Sequence, residues 1–175
     1  ENVLNFLKTV PKGRFQFEIG VQTTNVPTLE AINRRDNWAK LTANVKRLLS
    51  YGNIHLHLDL IAGLPYEGMA EFEKSFNDVY GLQPDMLQLG FLKVLPGTAM
   101  EKQRLEHELR YMDEPPYEIL STKYMPYCAL RFLKVLEDVF EHTYNSGRFV
   151  YTLKYLTEAE GNAFAFYKKF ALWWQ

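Results

Sequence analysis

Cysteine is nearly missing from this sequence: 175 residues contain one, Cys128. A single thiol excludes an intrachain disulfide, a zinc site of two cysteines and two histidines, and an iron–sulfur cluster held by this chain alone. Also missing is any apolar run near the roughly 20 residues that cross a bilayer as a helix, so no membrane partner is expected. Neither sign of charge dominates, since 20 Lys and Arg face 21 Asp and Glu. A general nucleic-acid binder needs an excess of cations to neutralise phosphates, so no nucleic acid is expected either. Repeats, low-complexity tracts and a secretory leader pattern are absent, and the expected compartment is a reducing cytoplasm. What the chain does have is apolar and aromatic residues, 47% and 15% of its length. That suffices for a real core in one domain with an appendage. Many aromatics crowd the C-terminal third, which points to two regions.

The first region alternates strand and helix signals. Val3 to Val10 reads as the end of a helix, closed by Pro11-Lys12-Gly13. Arg14 to Gln22 alternates apolar and polar with period two, as a strand does. Asn25-Val-Pro-Thr28 reads as a helix start with Thr28 as cap, and a second helix is expected from Trp38 to Ser50. A strand over Ile54–Ile61, a helix over Met69–Leu82, a strand over Met86–Leu92 and a helix over Ala99–Leu109 follow. Three βα units at this spacing imply a parallel sheet. Asp113-Glu114-Pro115-Pro116 then breaks the pattern. Helices are expected over 117–124, 128–144, 148–156 and 157–174, with the boundary near residue 112, giving regions 1–112 and 113–175.

The strands are two-faced. Phe15, Phe17, Ile19 and Val21 oppose Gln16, Glu18, Gly20 and Gln22; Ile54, Leu56, Leu58 and Leu60 oppose His55, His57 and Asp59; Gln88 and Gly90 share a parity. A parallel strand buried on both sides would be apolar throughout. The polar faces of neighbouring strands therefore either satisfy one another inside a core or line a hydrogen-bonding lumen or cleft. Ligands of α/β folds sit at the carboxyl ends of strands, where Gln22, Asn25, Asp59, Gly63 and Lys93 fall. His55-x-His57 with Asp59 would be a thin metal-ligand set, lacking a further ligand.

Gly20-Val-Gln-Thr-Thr-Asn25, then Ile32-Asn33-Arg34, then Asp59-Leu-Ile-Ala-Gly-Leu-Pro65, then Pro84-Asp85-Met-Leu-Gln-Leu89 with Leu95-Pro-Gly-Thr98, resemble the radical S-adenosylmethionine (SAM) superfamily. The likeness is to the branch of oxygen-independent coproporphyrinogen oxidase and of cobalamin-binding enzymes akin to the anaerobic Mg-protoporphyrin monomethyl ester cyclase. It covers about residues 10–105, and the helical tail resembles the extension after the barrel in cobalamin-type members. The resemblance implies the C-terminal half of a (β/α)6 partial TIM-like barrel followed by an all-helical extension. It also implies SAM contacts: Gln22 toward the nucleoside, Arg34 on the following helix toward the carboxylate, and Asp59 near the ribose or amine. Ile61 and Gly63 would lie near the adenine, with Lys93 contributing backbone there. Glu18, His55, His57 and Gln88 would face the lumen as substrate candidates.

The family's C-x3-C-x2-C motif and its glycine-rich SAM-amine motif have no counterpart in this sequence. The expectation is therefore a fragment, inactive alone, of a parent enzyme that uses SAM, a [4Fe-4S] cluster and in some members cobalamin. Its natural partner would be the missing N-terminal half, without which the first strand has an unpaired edge. That edge would self-associate or be covered by the N-terminal helix or the tail. The competing reading is a complete small α/β module that binds a ligand at the Gln22–Asp59–Lys93 end, or a protein through its aromatic tail.

Overall fold

The computed structural model describes residues 2–35 and 37–174. Strands β1 (Gln16–Gln22), β2 (His55–Ala62) and β3 (Met86–Phe91) lie parallel in the order β1-β2-β3. Helices α2 (Val26–Ala31) and α3 (Trp38–Tyr51) follow β1, α4 (Met69–Tyr80) follows β2, and the single turn α5 (Ala99–Lys102) follows β3. Helix α1 (Asn2–Lys8) precedes β1 and packs on α3. The C-terminal region holds a hairpin of β4 (Arg110–Tyr111) and β5 (Ile119–Ser121), then α6 (Tyr127–Phe140), a π-helical turn over Glu141–Asn145, α7 (Val150–Glu160) and α8 (Ala163–Trp174). The expected fold class is therefore the observed one: three parallel βα units of a partial barrel wall and a largely helical extension.

Local chemistry explains the boundaries. The Asn37 side chain accepts the Lys40 N–H at 2.9 Å to open α3, and left-handed Gly52 closes it. At the start of α4 the Glu71 carboxylate accepts the Gly68 N–H at 3.0 Å. Helix α4 then buries Phe72, Ser75, Phe76 and Val79, the i, i+3, i+4, i+7 stripe of a one-sided helix. Under it, Leu56, Leu58 and Leu60 of β2 are fully buried, each contributing about 2 kcal/mol. Helices α6 and α8 extend this helical layer toward β3. Phe76 sits at its centre, with ring centroids 5.4 Å from Phe140, 5.4 Å from Phe164 and 5.9 Å from Tyr167. One apolar cluster runs from Leu58 and Leu87 through Leu133 to Tyr167.

Four expectations need correction. Asn25, not Thr28, is the N-cap of α2; Thr28 lies buried in the first turn and accepts from Asn25 Nδ2 at 2.8 Å. The helix expected over Ala99–Leu109 is one turn, because Glu108 goes left-handed and the chain turns into β4. The helix expected over 117–124 does not form: Tyr117 is left-handed, with φ 57°, and Ile119–Ser121 is strand β5. There the Ile119 N–H donates to Leu92 O and the Val94 N–H to Tyr117 O, both at 2.9 Å, and that pairing overrides local propensity. The last two helices divide at Gly161, which takes the left-handed conformation, and not at Leu156–Thr157; Thr157 stays in α7 with its hydroxyl on Leu153 O.

The edges of the sheet differ. On β3, the Asn145 side chain accepts the Leu87 N–H at 3.1 Å and donates to Leu87 O at 3.0 Å, standing in for one residue of a missing strand. On edge β1 a side chain also intervenes, since Arg34 Nη2 donates to Gly20 O at 2.6 Å. Asn145→Ala should cost about 1–3 kcal/mol by denaturant titration and speed amide exchange at Leu87. Unchanged protection of that amide would show that the edge does not depend on the side chain.

Candidate functional site

The polar face foreseen for the strands exists, and its register is defined. Glu18 lies beside His57, Gly20 beside Asp59, and Asp59 beside Gln88. Above Gly20 the alternation of β1 fails. The register slips between Gly20 and Gln22, and Gln22 takes a positive φ of 69°. This bulge turns the Gln22 side chain back over Gly20: a Cβ at residue 20 would lie 2.3 Å from Gln22 Nε2. Only a residue without a side chain accepts that approach.

Arg34 reaches the same point by a different route from the one expected. It is not on the helix after β1, because α2 ends at Ala31 and Asn33 is left-handed with φ 56°. The reversal sends the guanidinium back to β1, where Nη2 donates to Gly20 O at 2.6 Å. Gln22, Arg34 and Asp59 therefore meet around one glycine at the carboxyl end of the sheet. Ile61, Gln88 and Lys93 line a second feature, a groove of about 520 Å³ bounded by Lys134 and Glu137 of α6. Two candidates stand apart. His55 is exposed at the start of β2, beside Gln16. Gly63, with φ 87°, lets Ile119 approach so closely that a Cβ would sit 2.8 Å from its Cγ2, which is a packing role.

Burial pushes the Asp59 carboxyl above the usual carboxylate range; His57 opposes the rise and Glu18 adds to it. His57 Nε2 is 3.6 Å from Asp59 Oδ1. Among the described residues both ring nitrogens of His57, and Asp59 Oδ1, are buried without a hydrogen-bond partner.

Sequence reasoning passed over the group that fastens this rim together. Glu67 is fully buried, and its Oε1 accepts from the hydroxyls of Thr23 and Ser75. The Thr24 N–H donates to Ser75 Oγ at 3.0 Å, the Thr24 hydroxyl to Asp78 at 2.6 Å, and Asn25 Nδ2 to Tyr66 O at 2.8 Å. The loop after β1 is thus bonded to the loop after β2 and to α4. The only signal in the sequence was a charge two residues after Leu64-Pro65, and an acid in a loop is ordinarily solvated.

The fold is of the parallel βα class, in which ligand sites open at the carboxyl ends of the strands. In particular, the chain is similar to Escherichia coli coproporphyrinogen III oxidase (HemN), whose structure is described as that of a radical SAM enzyme. The TM-score is 0.56 at 23% identity, over 81% of this chain and 29% of that one. It is 30% identical over 124 residues to the heme chaperone HemW of Bacillus subtilis (strain 168), covering 69% of this chain and 32% of the relative. Residues 105–175 match a family model described as a protein of unknown function, DUF4080. The chain spans about a third of the length of these two relatives.

Burial raises the Glu67 carboxyl from its usual 4.5 to about 7, against the lowering effect of its bonds to Thr23 and Ser75. An acid raised on folding contributes stability that is complete below its unfolded value and is lost as pH rises through its folded value. Unfolding free energy should therefore fall between about pH 4.5 and pH 7.5, by on the order of 3 kcal/mol from this group. Glu67→Gln, which keeps an acceptor for Thr23, should flatten that interval. Denaturant titrations of both proteins across pH check this; parallel curves would refute it.

Proposed function

We propose that this chain forms the C-terminal part of the SAM-binding barrel wall in a radical SAM iron–sulfur enzyme. The observation that carries the reading is the convergence of Gln22, Arg34 and Asp59 around Gly20. The fold likeness to HemN and the sequence likeness to HemW support it. The donor set fits SAM. Arg34, steadied on the Gly20 carbonyl, suits a carboxylate, which a guanidinium meets with parallel hydrogen bonds. Asp59, with a buried oxygen that has no partner among the described residues, suits ribose hydroxyls or an amine, and Gln22 suits the nucleoside. Ile61 and the backbone at Lys93 would border the adenine. Glu18, His57 and Gln88 would face a substrate in the lumen, with His55 farther from the rim.

The donor set does not fit an iron–sulfur cluster. Cys128 is alone and exposed near the start of α6, and among the described residues no group of three or more His, Cys, Asp or Glu could hold a metal. Cluster ligands would come from polypeptide outside these residues, whose strands would pair with the open edge of β1. When bound at such a cluster, SAM supplies radical chemistry that no side chain can; the residues here bind and orient it. Nothing in either relative's description points to cobalamin or to Mg-protoporphyrin, so that subtype rests on sequence motifs alone. A reducing cytoplasm is the compartment such a cluster needs, and among the described residues no helix is long and apolar enough to cross a membrane.

Calorimetric titration of SAM into the longer polypeptide tests the reading. Arg34→Ala and Asp59→Asn should each weaken binding about tenfold or more, the loss of a hydrogen bond to a charged group. Unchanged affinity in both would overturn it. A second measurement addresses the cluster: this chain alone, given iron and sulfide without oxygen, should develop no stoichiometric thiolate–iron absorption. Such a band, lost in Cys128→Ser, would contradict the assignment.

A further inference from the structure

His57 is the most anomalous side chain on the polar face. It is buried at the centre of the sheet, and among the described residues neither ring nitrogen has a hydrogen-bond partner. Buried polar atoms in that condition are rare and costly, so they call for an explanation. The nearest candidate partner is Asp59 Oδ1, at 3.6 Å, which is also buried and also lacks a partner among the described residues. That separation is just beyond a hydrogen bond. The Asp59 side chain is 29% exposed even though Oδ1 is inaccessible, which leaves Oδ2 as the oxygen able to meet a ligand. The histidine thus stands behind the carboxylate, one strand pitch deeper, and the carboxylate stands at the rim.

We propose that His57 is a positioning residue: when it takes a proton from solvent, its Nε2–H closes onto Asp59 Oδ1 and holds the carboxylate with Oδ2 turned toward a ligand that donates hydrogen bonds. This rests on the reading of Asp59 as a cofactor-facing residue and deepens it, since it makes binding at the rim depend on a proton. The other groups facing the pair are consistent with this. Glu18 is the register partner of His57 on β1. Met86 and Gln88 on β3 carry no charge, and His55 lies two residues away on β2. Arg34 bonds the carbonyl of Gly20, the register partner of Asp59. Charge on His57 also works against the burial that raises the Asp59 carboxyl.

Two measurements separate this from a filler role. In the present chain, carbon-detected NMR titration should show the Asp59 carboxyl titrating at higher pH in His57→Leu than in wild type. In the longer polypeptide, SAM affinity should be bell-shaped in pH, falling about fivefold to tenfold on the alkaline side as His57 loses its proton. His57→Gln offers an amide N–H that does not titrate. It should retain the acid limb and lose the alkaline one, whereas His57→Leu should bind weakly throughout. An alkaline limb that persists in His57→Gln, or an Asp59 titration unmoved by His57→Leu, would overturn the proposal. If SAM fails to bind wild type at any pH, the cofactor reading falls, and the NMR arm still decides whether the two residues are coupled.

Discussion

Strand β2 is sealed on one side and polar on the other, and the rest of the molecule follows from that asymmetry. Leu56, Leu58 and Leu60 are fully buried. Because strand side chains alternate, His55, His57 and Asp59 must then face away from the helices. A slip of one residue would drive two histidines and a carboxylate into an apolar layer and expose three leucines. The register with β1 and β3 is correspondingly strict, and it sets Glu18 beside His57, and Gly20 and Gln88 on either side of Asp59. The helical layer seals one face, while the polar chemistry collects on the other.

The helical extension belongs to the sealed side. Its aromatic residues, which looked in the sequence like a possible docking surface, include Phe140, Phe164 and Tyr167 in contact with Phe76 of α4. They pack edge to face, the arrangement ring quadrupoles prefer. Part of what the sequence showed as an aromatic cluster is thus core. The rest, including Tyr151, Tyr155 and Trp173, stays exposed.

Periodicity made the three strands and the long helices legible, because alternation in β2 and the four-residue stripe of α4 are direct signatures of one-sided burial. It failed where tertiary pairing decides. Residues 117–124 read as helix in the sequence, yet Ile119–Ser121 becomes strand β5, and the Leu92 and Val94 backbones bond to Ile119 and Tyr117. At the site, residue identities were readable and routes were not. Arg34 was expected on a helix and arrives through a left-handed turn at Asn33, and the bulge at Gln22 left no trace in the alternation of β1. Glu67 was invisible for a related reason: its burial is created by Thr23 and Ser75, residues 44 and 8 positions away. Long-range satisfaction of a polar group has no local signature.

The unequal edges of the sheet limit how copies of this chain could assemble. On β3, Asn145 occupies Leu87, and the segment around Glu118 pairs alongside Leu92 to Val94. Between them, Lys134 lies 4.0 Å over the Phe91 ring. On β1 the Gly20 carbonyl accepts from Arg34 Nη2, so a strand arriving from outside could pair only with the part of β1 that precedes Gly20. Two copies that join through β1 consume both free edges and form a closed pair related by a twofold axis. Open-ended stacking needs a head and a tail, and this sheet presents only one of the two.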